Sequence, residues 1–140
     1  MKIAIASDHG GYNYKEFLNA YLKALGHAIQ DHGCDSDASV DYPDYAQLVC
    51  DDVAQGTADY GILICGTGIG MSMAANRNQQ IRAGLCKDVE TAQLTRQHNN
   101  ANVLCLGARV TDINDIESIV DAFLDTEFEG GRHQKRIQKF

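Results

Sequence analysis

Three short stretches of the chain hold residues able to move protons or grip an anion. The first is Cys65-Gly66-Thr67-Gly68-Ile69-Gly70, a thiol followed by a glycine-rich turn. Glycines let a ligand approach the backbone closely, and amides at a helix start favour negative charge. A thiol beside such amides gives up its proton more readily and can serve as base or nucleophile. The competing readings are a tight turn and a buried strand cysteine, the latter adopted for Cys50, Cys86 and Cys105. The second stretch is Asp8-His9. An acid beside an imidazole can orient and protonate a sugar hydroxyl, or the acid can simply cap a helix. The third is Gly130-Gly131-Arg132-His133-Gln134-Lys135-Arg136, in which two arginines stand four apart. On a helix they share a face and can hold one phosphate, though a terminal basic run is more often only solvated. His98 and Asn99 end a helical stretch, where a histidine alone often only complements the helix dipole.

The elements that must position these groups are written in the hydrophobic pattern. Lys2–Ala6 and Tyr60–Cys65 read as buried strands, Ile81–Cys86 and Asn102–Leu106 as further strands, and His27–Gln30 as a weaker one. Between them, Tyr14, Phe17, Leu18, Tyr21, Leu22 and Leu25 recur at helical spacing, and Gly26 can end that helix. Pro43 suits a helix start, with Tyr45, Leu48, Val49 and Val53 behind it. Asp88 reads as the N-cap of a helix to about His98, and Thr111 as the cap of one bearing Ile113, Ile116, Ile119, Val120, Phe123 and Leu124. Strand and helix thus alternate about five times. That order predicts an α/β, Rossmann-like three-layer fold with a five-stranded parallel sheet, one domain over residues 1–140. Ligands of such folds bind beyond the carboxyl ends of the strands. Asp8, His9, Cys65 with its turn, Lys87 and Arg109 all fall there.

The glycine spacing after Cys65 is not the dinucleotide fingerprint and has no P-loop lysine. A net charge of −7 speaks against non-specific binding to nucleic acid or to membrane surfaces. The charge is uneven. Residues 31–59 hold eight acids and no Lys or Arg, read as solvated surface, whereas 131–140 hold Arg132, Lys135, Arg136 and Lys139 and no acid. No apolar run is long enough for a membrane span, and Met1–Ala6 is too short for a signal-peptide core. Five cysteines, odd in number and without a C-x-x-C pair, suggest neither a disulfide framework nor a thiolate metal site. A reducing cytoplasm is the expected location.

Taken together, Ser-Asp-His-Gly-Gly at 7–11, Asp-Tyr-Pro at 41–43, Ile-Leu-Ile-Cys-Gly-Thr-Gly-Ile-Gly at 62–70 and Ala-Ala-Asn at 74–76 resemble the type-B ribose-5-phosphate isomerases and related sugar-phosphate isomerases. Arg-Gln-His-Asn at 96–99, Asn-Val-Leu at 102–104 and Gly-Gly-Arg-His-Gln at 130–134 continue the match in order over nearly the whole chain. The resemblance implies an aldose–ketose isomerase interconverting ribose 5-phosphate and ribulose 5-phosphate, with neither metal nor organic cofactor. It further implies a homodimer, sometimes paired into a tetramer, whose active sites are shared between subunits. Carried over, Cys65 is the base between C1 and C2, and Thr67 with the amides of Gly66, Gly68, Ile69 and Gly70 holds the enediolate oxygen. Some members use a Glu further along the loop instead, but no acid lies between Gly66 and Asn78. By the same resemblance His98, helped by Asp8, opens the sugar ring, and Tyr42 and Asn99 hold hydroxyls. His9, Arg109, Arg132 and Arg136 bind the phosphate. A six-carbon sugar phosphate, allose or galactose 6-phosphate, is the alternative substrate, and a non-catalytic sugar-phosphate binding module the alternative role.

Overall fold

A computed structural model describes all of residues 1–140. Five parallel strands, β1 (Lys2–Ser7), β2 (Ala28–Asp31), β3 (Tyr60–Cys65), β4 (Ala83–Leu85) and β5 (Val103–Gly107), form one sheet in the order β2-β1-β3-β5-β4. Six α-helices accompany them: α1 (Tyr12–Ala24), α2 (Tyr42–Gln55), α3 (Ile69–Ala75), α4 (Val89–Asn99), α5 (Ile113–Asp125) and α6 (Arg132–Ile137). The chain moves outward from β1 to β2, then returns to place β3 on the other side of β1. The direction of winding therefore reverses between β1 and β3, and a crevice opens at their carboxyl ends.

Side-chain alternation builds the three layers. Ile3, Ile5, Ile62, Ile64, Leu104 and Leu106 point to one face, where α1 brings Leu18 and Leu22 and α5 brings Ile116, Ile119, Val120 and Phe123. Ala4, Ala6, Leu63, Cys65, Val103 and Cys105 point to the other, against Ala46, Val49 and Cys50 of α2 and Met71 and Ala75 of α3. Small residues on β1 let α2 lie close to the second face. Cys65 is the last residue of β3 on that face, so its thiol emerges between sheet and helix where the crevice begins.

Several sequence expectations shift. The buried face of α1 is Lys15, Leu18, Asn19 and Leu22, while Phe17 and Leu25 stay exposed. Lys15 is wholly buried because its Nζ meets Asp31 at 2.8 Å and Glu16 at 2.6 Å, the pairing a buried cation requires. Burial opposes the Lys15 charge, yet the bonds to Asp31 and Glu16 outweigh it and hold its pKa above the ordinary value. Burial likewise works against ionised Asp31, but Lys15, the Gly33 amide and Asn19 keep that carboxyl below its ordinary range. Asp112, not Thr111, caps α5 by accepting from the Asn114 amide, and the Thr111 hydroxyl is buried without a partner. Asp88 caps α4 as expected, with Thr91 returning a bond in a capping box. β4 is shorter than the expected 81–86 and β2 sits one residue later than expected. Both are outer strands with exposed residues, so little apolar pattern marks their ends. Of the cysteines read as buried in strands, Cys105 lies in β5, Cys50 in α2 and Cys86 just past β4.

Candidate active site

The crevice is lined by Asp8, His9, Gly10, Tyr42, Cys65, Gly66, Thr67, Ile69, Gly70, Met73 and Arg109. Each is held by its own short chain of causes. Asp8, only 7% exposed, accepts from the amides of Gly10 and Gly11 through Oδ1 at 2.9 and 3.2 Å, which caps a single 3-10 turn and leaves Oδ2 outside those bonds. Asp8 thus caps the turn, as one of its readings expected, and also lines the crevice. His9 Nδ1 accepts from the Val40 amide at 3.2 Å, which places the proton of a neutral ring on Nε2.

Cys65 Sγ accepts a hydrogen bond from the Gly68 amide at 3.1 Å. The bond fixes where the sulphur sits at the mouth of the crevice. That bond requires the turn to curl back at Gly68, whose φ of 77° belongs to the left-handed region glycine tolerates. Gly70 answers a different demand. A Cβ there would stand 2.5 Å from the Tyr42 ring, so only a hydrogen lets that ring lie across the start of α3. The Thr67 hydroxyl accepts from the Ile69 amide at 3.3 Å, and its own proton remains available to an oxygen in the crevice. Arg109 follows β5, its amide donates to the Gly66 carbonyl at 2.8 Å, and its guanidinium packs over Gly66.

Three of the remaining thiols lie outside the crevice, in the core. Burial pushes Cys50 up to about 11 and Cys86 up to about 12, and drives Cys105 well above its ordinary value. They are core side chains that stay protonated.

Four sequence-predicted residues lie elsewhere in the chain. His98 closes α4 and its ring stacks on His133 of α6, with centroids 4.3 Å apart. Asn99 borders a separate hollow with Asn76, Arg82, Thr95 and Phe140. Arg132 and Arg136 share the exposed side of α6, which fulfils the expectation of one helix face but leaves them outside the Cys65 crevice. Met73 and Gly10 were not singled out as site residues. Met73 stands four residues after Ile69 and so faces the same way on α3, and Gly10 follows the Asp8-His9 pair directly. The His98–His133 stack was likewise invisible, because nothing in either stretch announces the other.

The model of the ribose/galactose isomerase family matches residues 3–140. The chain belongs to that family. Ribose-5-phosphate isomerase B of Escherichia coli K12 is 47% identical to this family member over 137 residues, covering 98% of this chain and 92% of the relative. The structure of Clostridium thermocellum ribose-5-phosphate isomerase B superposes with a TM-score of 0.98 at 47% identity, covering 99% of this chain and 94% of the other. The Mycoplasma genitalium ribose-5-phosphate isomerase B, solved with bound ribulose 5-phosphate, gives 0.95 at 48% identity over 99% and 92% of the two chains. The α/β fold with its five parallel strands is the fold of these isomerases, as expected.

Proposed function

We propose that this protein is an aldose–ketose isomerase interconverting ribose 5-phosphate and ribulose 5-phosphate, acting as one domain in the cytoplasm. The observation that carries the proposal is the meeting of Cys65, the glycine turn and Asp8 in one crevice at the winding reversal of the sheet. The ligand named in the Mycoplasma genitalium structure supports the pentose phosphate as substrate.

The chemistry follows from the groups present. Asp8 and His98 open the furanose by moving a proton between the ring oxygen and the anomeric hydroxyl. Cys65 thiolate then removes the proton on C2 of the open aldose, and charge develops on the C1 oxygen. The turn amides and the Thr67 hydroxyl stabilise that charge without reorganising, which is where preorganised donors have their largest effect. The same thiol returns its proton to C1 while a proton passes from the C2 hydroxyl to the C1 oxygen, and the ketose results. Tyr42 and Asn99 hold the remaining hydroxyls. His9 and Arg109 hold the phosphate, which does not react; its binding fixes C1 and C2 against the sulphur, an effect worth up to roughly 7 kcal/mol.

His98, Asn99, Arg132 and Arg136 act on the crevice of a second copy. Exposed Ile69, Met73, Leu85, Val89 and Leu94 on α3, β4 and α4 supply apolar surface for that dimer. The five thiols are free, which suits a reducing cytoplasm. Ribulose 5-phosphate formation from ribose 5-phosphate, followed with chelator present and beside allose and galactose 6-phosphates, tests the reading. Turnover of the pentose supports it. Turnover of a hexose phosphate alone keeps the mechanism and moves the substrate, and no turnover of any leaves a binding module.

A further inference from the structure

Two imidazoles and a carboxylate meet at the end of α4, outside the Cys65 crevice. Glu129 is brought there by its amide, which donates to the Gln97 carbonyl at 3.1 Å. Gly130 and Gly131, with φ of 67° and 55°, then reverse the chain so that α6 begins at once and sets His133 over His98. The two rings are nearly parallel, 13° between planes. His133 Nε2 lies 3.5 Å from Glu129 Oε2, and one donor atom from each of the three residues falls within 4.8 Å of the others. Neither imidazole accepts a hydrogen bond within the chain, and the one polar partner of either ring is Glu129.

We infer that His98, Glu129 and His133 form a binding site for a borderline divalent cation, zinc foremost, outside the catalytic crevice of their own chain. A tetrahedral zinc ion with bonds near 2.0–2.1 Å sets its ligand atoms about 3.4 Å apart. The His133–Glu129 pair already meets that spacing, and rotation of one ring out of the stack turns its lone pair toward the same point and closes the remaining separations, at most 4.8 Å. Two imidazoles with one carboxylate leave a fourth position for water, and that donor set selects zinc, copper or nickel over magnesium and calcium, which prefer oxygen. Glu129 is half exposed and gives the ion a way in. It also brings a negative charge beside the two positive charges of Arg132 and Arg136 on the adjoining helix. The consequence for catalysis rests on the proposed function: a cation that takes a His98 lone pair removes the group that opens the sugar ring. Zinc therefore acts as a reversible inhibitor, not as a cofactor.

The test is calorimetric titration of chelator-treated protein with zinc chloride, repeated with magnesium chloride. One zinc per chain is expected, and no saturable heat from magnesium. Glu129→Gln and His133→Asn should each weaken zinc by roughly tenfold or more, while Cys65→Ala leaves it unchanged. Cobalt substitution should give the visible absorption of a four-coordinate ion, lost in Glu129→Gln. Isomerase assays run alongside should find zinc inhibition relieved in Glu129→Gln, whose activity without zinc matches the unaltered protein. Absence of saturable zinc binding overturns the inference, as does binding that vanishes in Cys65→Ala but survives in Glu129→Gln. If zinc binds through the triad in a chain that isomerises no sugar phosphate, the metal site stands and the catalytic reading falls.

Discussion

The crevice beside Cys65 and the corner formed by α4 and α6 both carry chemistry-bearing residues, yet they are built on opposite plans. In the crevice three groups are engaged by the chain's own backbone: Asp8 by two amides, His9 by Val40 and Cys65 by Gly68. At the corner, Arg132 and Arg136 point into solvent without ion pairs, and His98 has only the face of His133. Groups fixed by their own chain act through position. Cations left unsatisfied act through charge on something that arrives later, in the proposed function a phosphate carried by another copy. The proposed function assigns bond-making to the crevice and binding to the corner, and each can be broken separately.

The largest effect belongs to the sulphur. Cys65→Ala should lower kcat by roughly a thousandfold or more, within or beyond the usual contribution of a general base, while KM stays nearly level. Steady-state kinetics checks this. Retention of a substantial part of the activity would show that another group takes the proton.

His98→Asn should cost roughly a hundredfold in kcat with the cyclic sugar, because ring opening then lacks its acid–base partner. The more telling measurement mixes two crippled chains. If a site takes Cys65 from one copy and His98 from the other, Cys65→Ala and His98→Asn chains refolded together form dimers with one intact site. Activity should climb toward roughly a quarter of the unaltered protein, the statistical share for a two-fold dimer. No recovery would place both residues in a single chain's site and erase the contrast drawn above.

Arg132→Ala should act differently again, raising KM by roughly tenfold with kcat nearly unchanged, the loss of one charge-assisted bond to phosphate. Salt should weaken substrate binding by the unaltered protein more than by the variant, since an exposed cation is readily screened.

The legibility of these two regions differs as their construction does. Tyr60–Cys65 was readable to the residue because a β-branched, apolar strand running into a glycine turn has no other good conformation. The strand-end rule then placed Asp8, His9, Cys65 and Arg109 together, and the crevice gathers them. The corner was readable only in part. The i, i+4 spacing of Arg132 and Arg136 needed just a helix, but the His98–His133 stack depends on how two glycines turn the chain. Lys15 was hidden for a related reason. A lysine between apolar helical positions looks solvated until its acid partner, on β2, is seen across the sheet edge. Pairings of that kind are made by tertiary structure and leave no periodicity behind.

Lys15 also offers the gentlest way to sharpen the comparison, since its ion pair supports the crevice side only. Asp31 binds Lys15 and the Gly33 amide, and the Gly33 carbonyl accepts from Ser7 at 2.8 Å, just ahead of Asp8. Asp31→Asn should therefore lower stability with little effect on corner residues. Breaking a buried pair costs about 3–5 kcal/mol when the charge is stranded. Here Glu16 remains as a second partner and Asp31 is partly open to water, so about 1–2 kcal/mol is expected. The sign with pH follows from the folded pKa values. Asp31 is held below its ordinary value, so its contribution is present above the ordinary carboxylate range and fades as pH falls through it. Lys15 is held above its ordinary value, so its contribution persists through neutrality and fades only at strongly alkaline pH. Denaturant unfolding should accordingly find the gap between the two proteins full at neutral pH and closing below roughly pH 4. A gap that stays constant down to pH 3 would mean that Asp31 serves by packing rather than by charge.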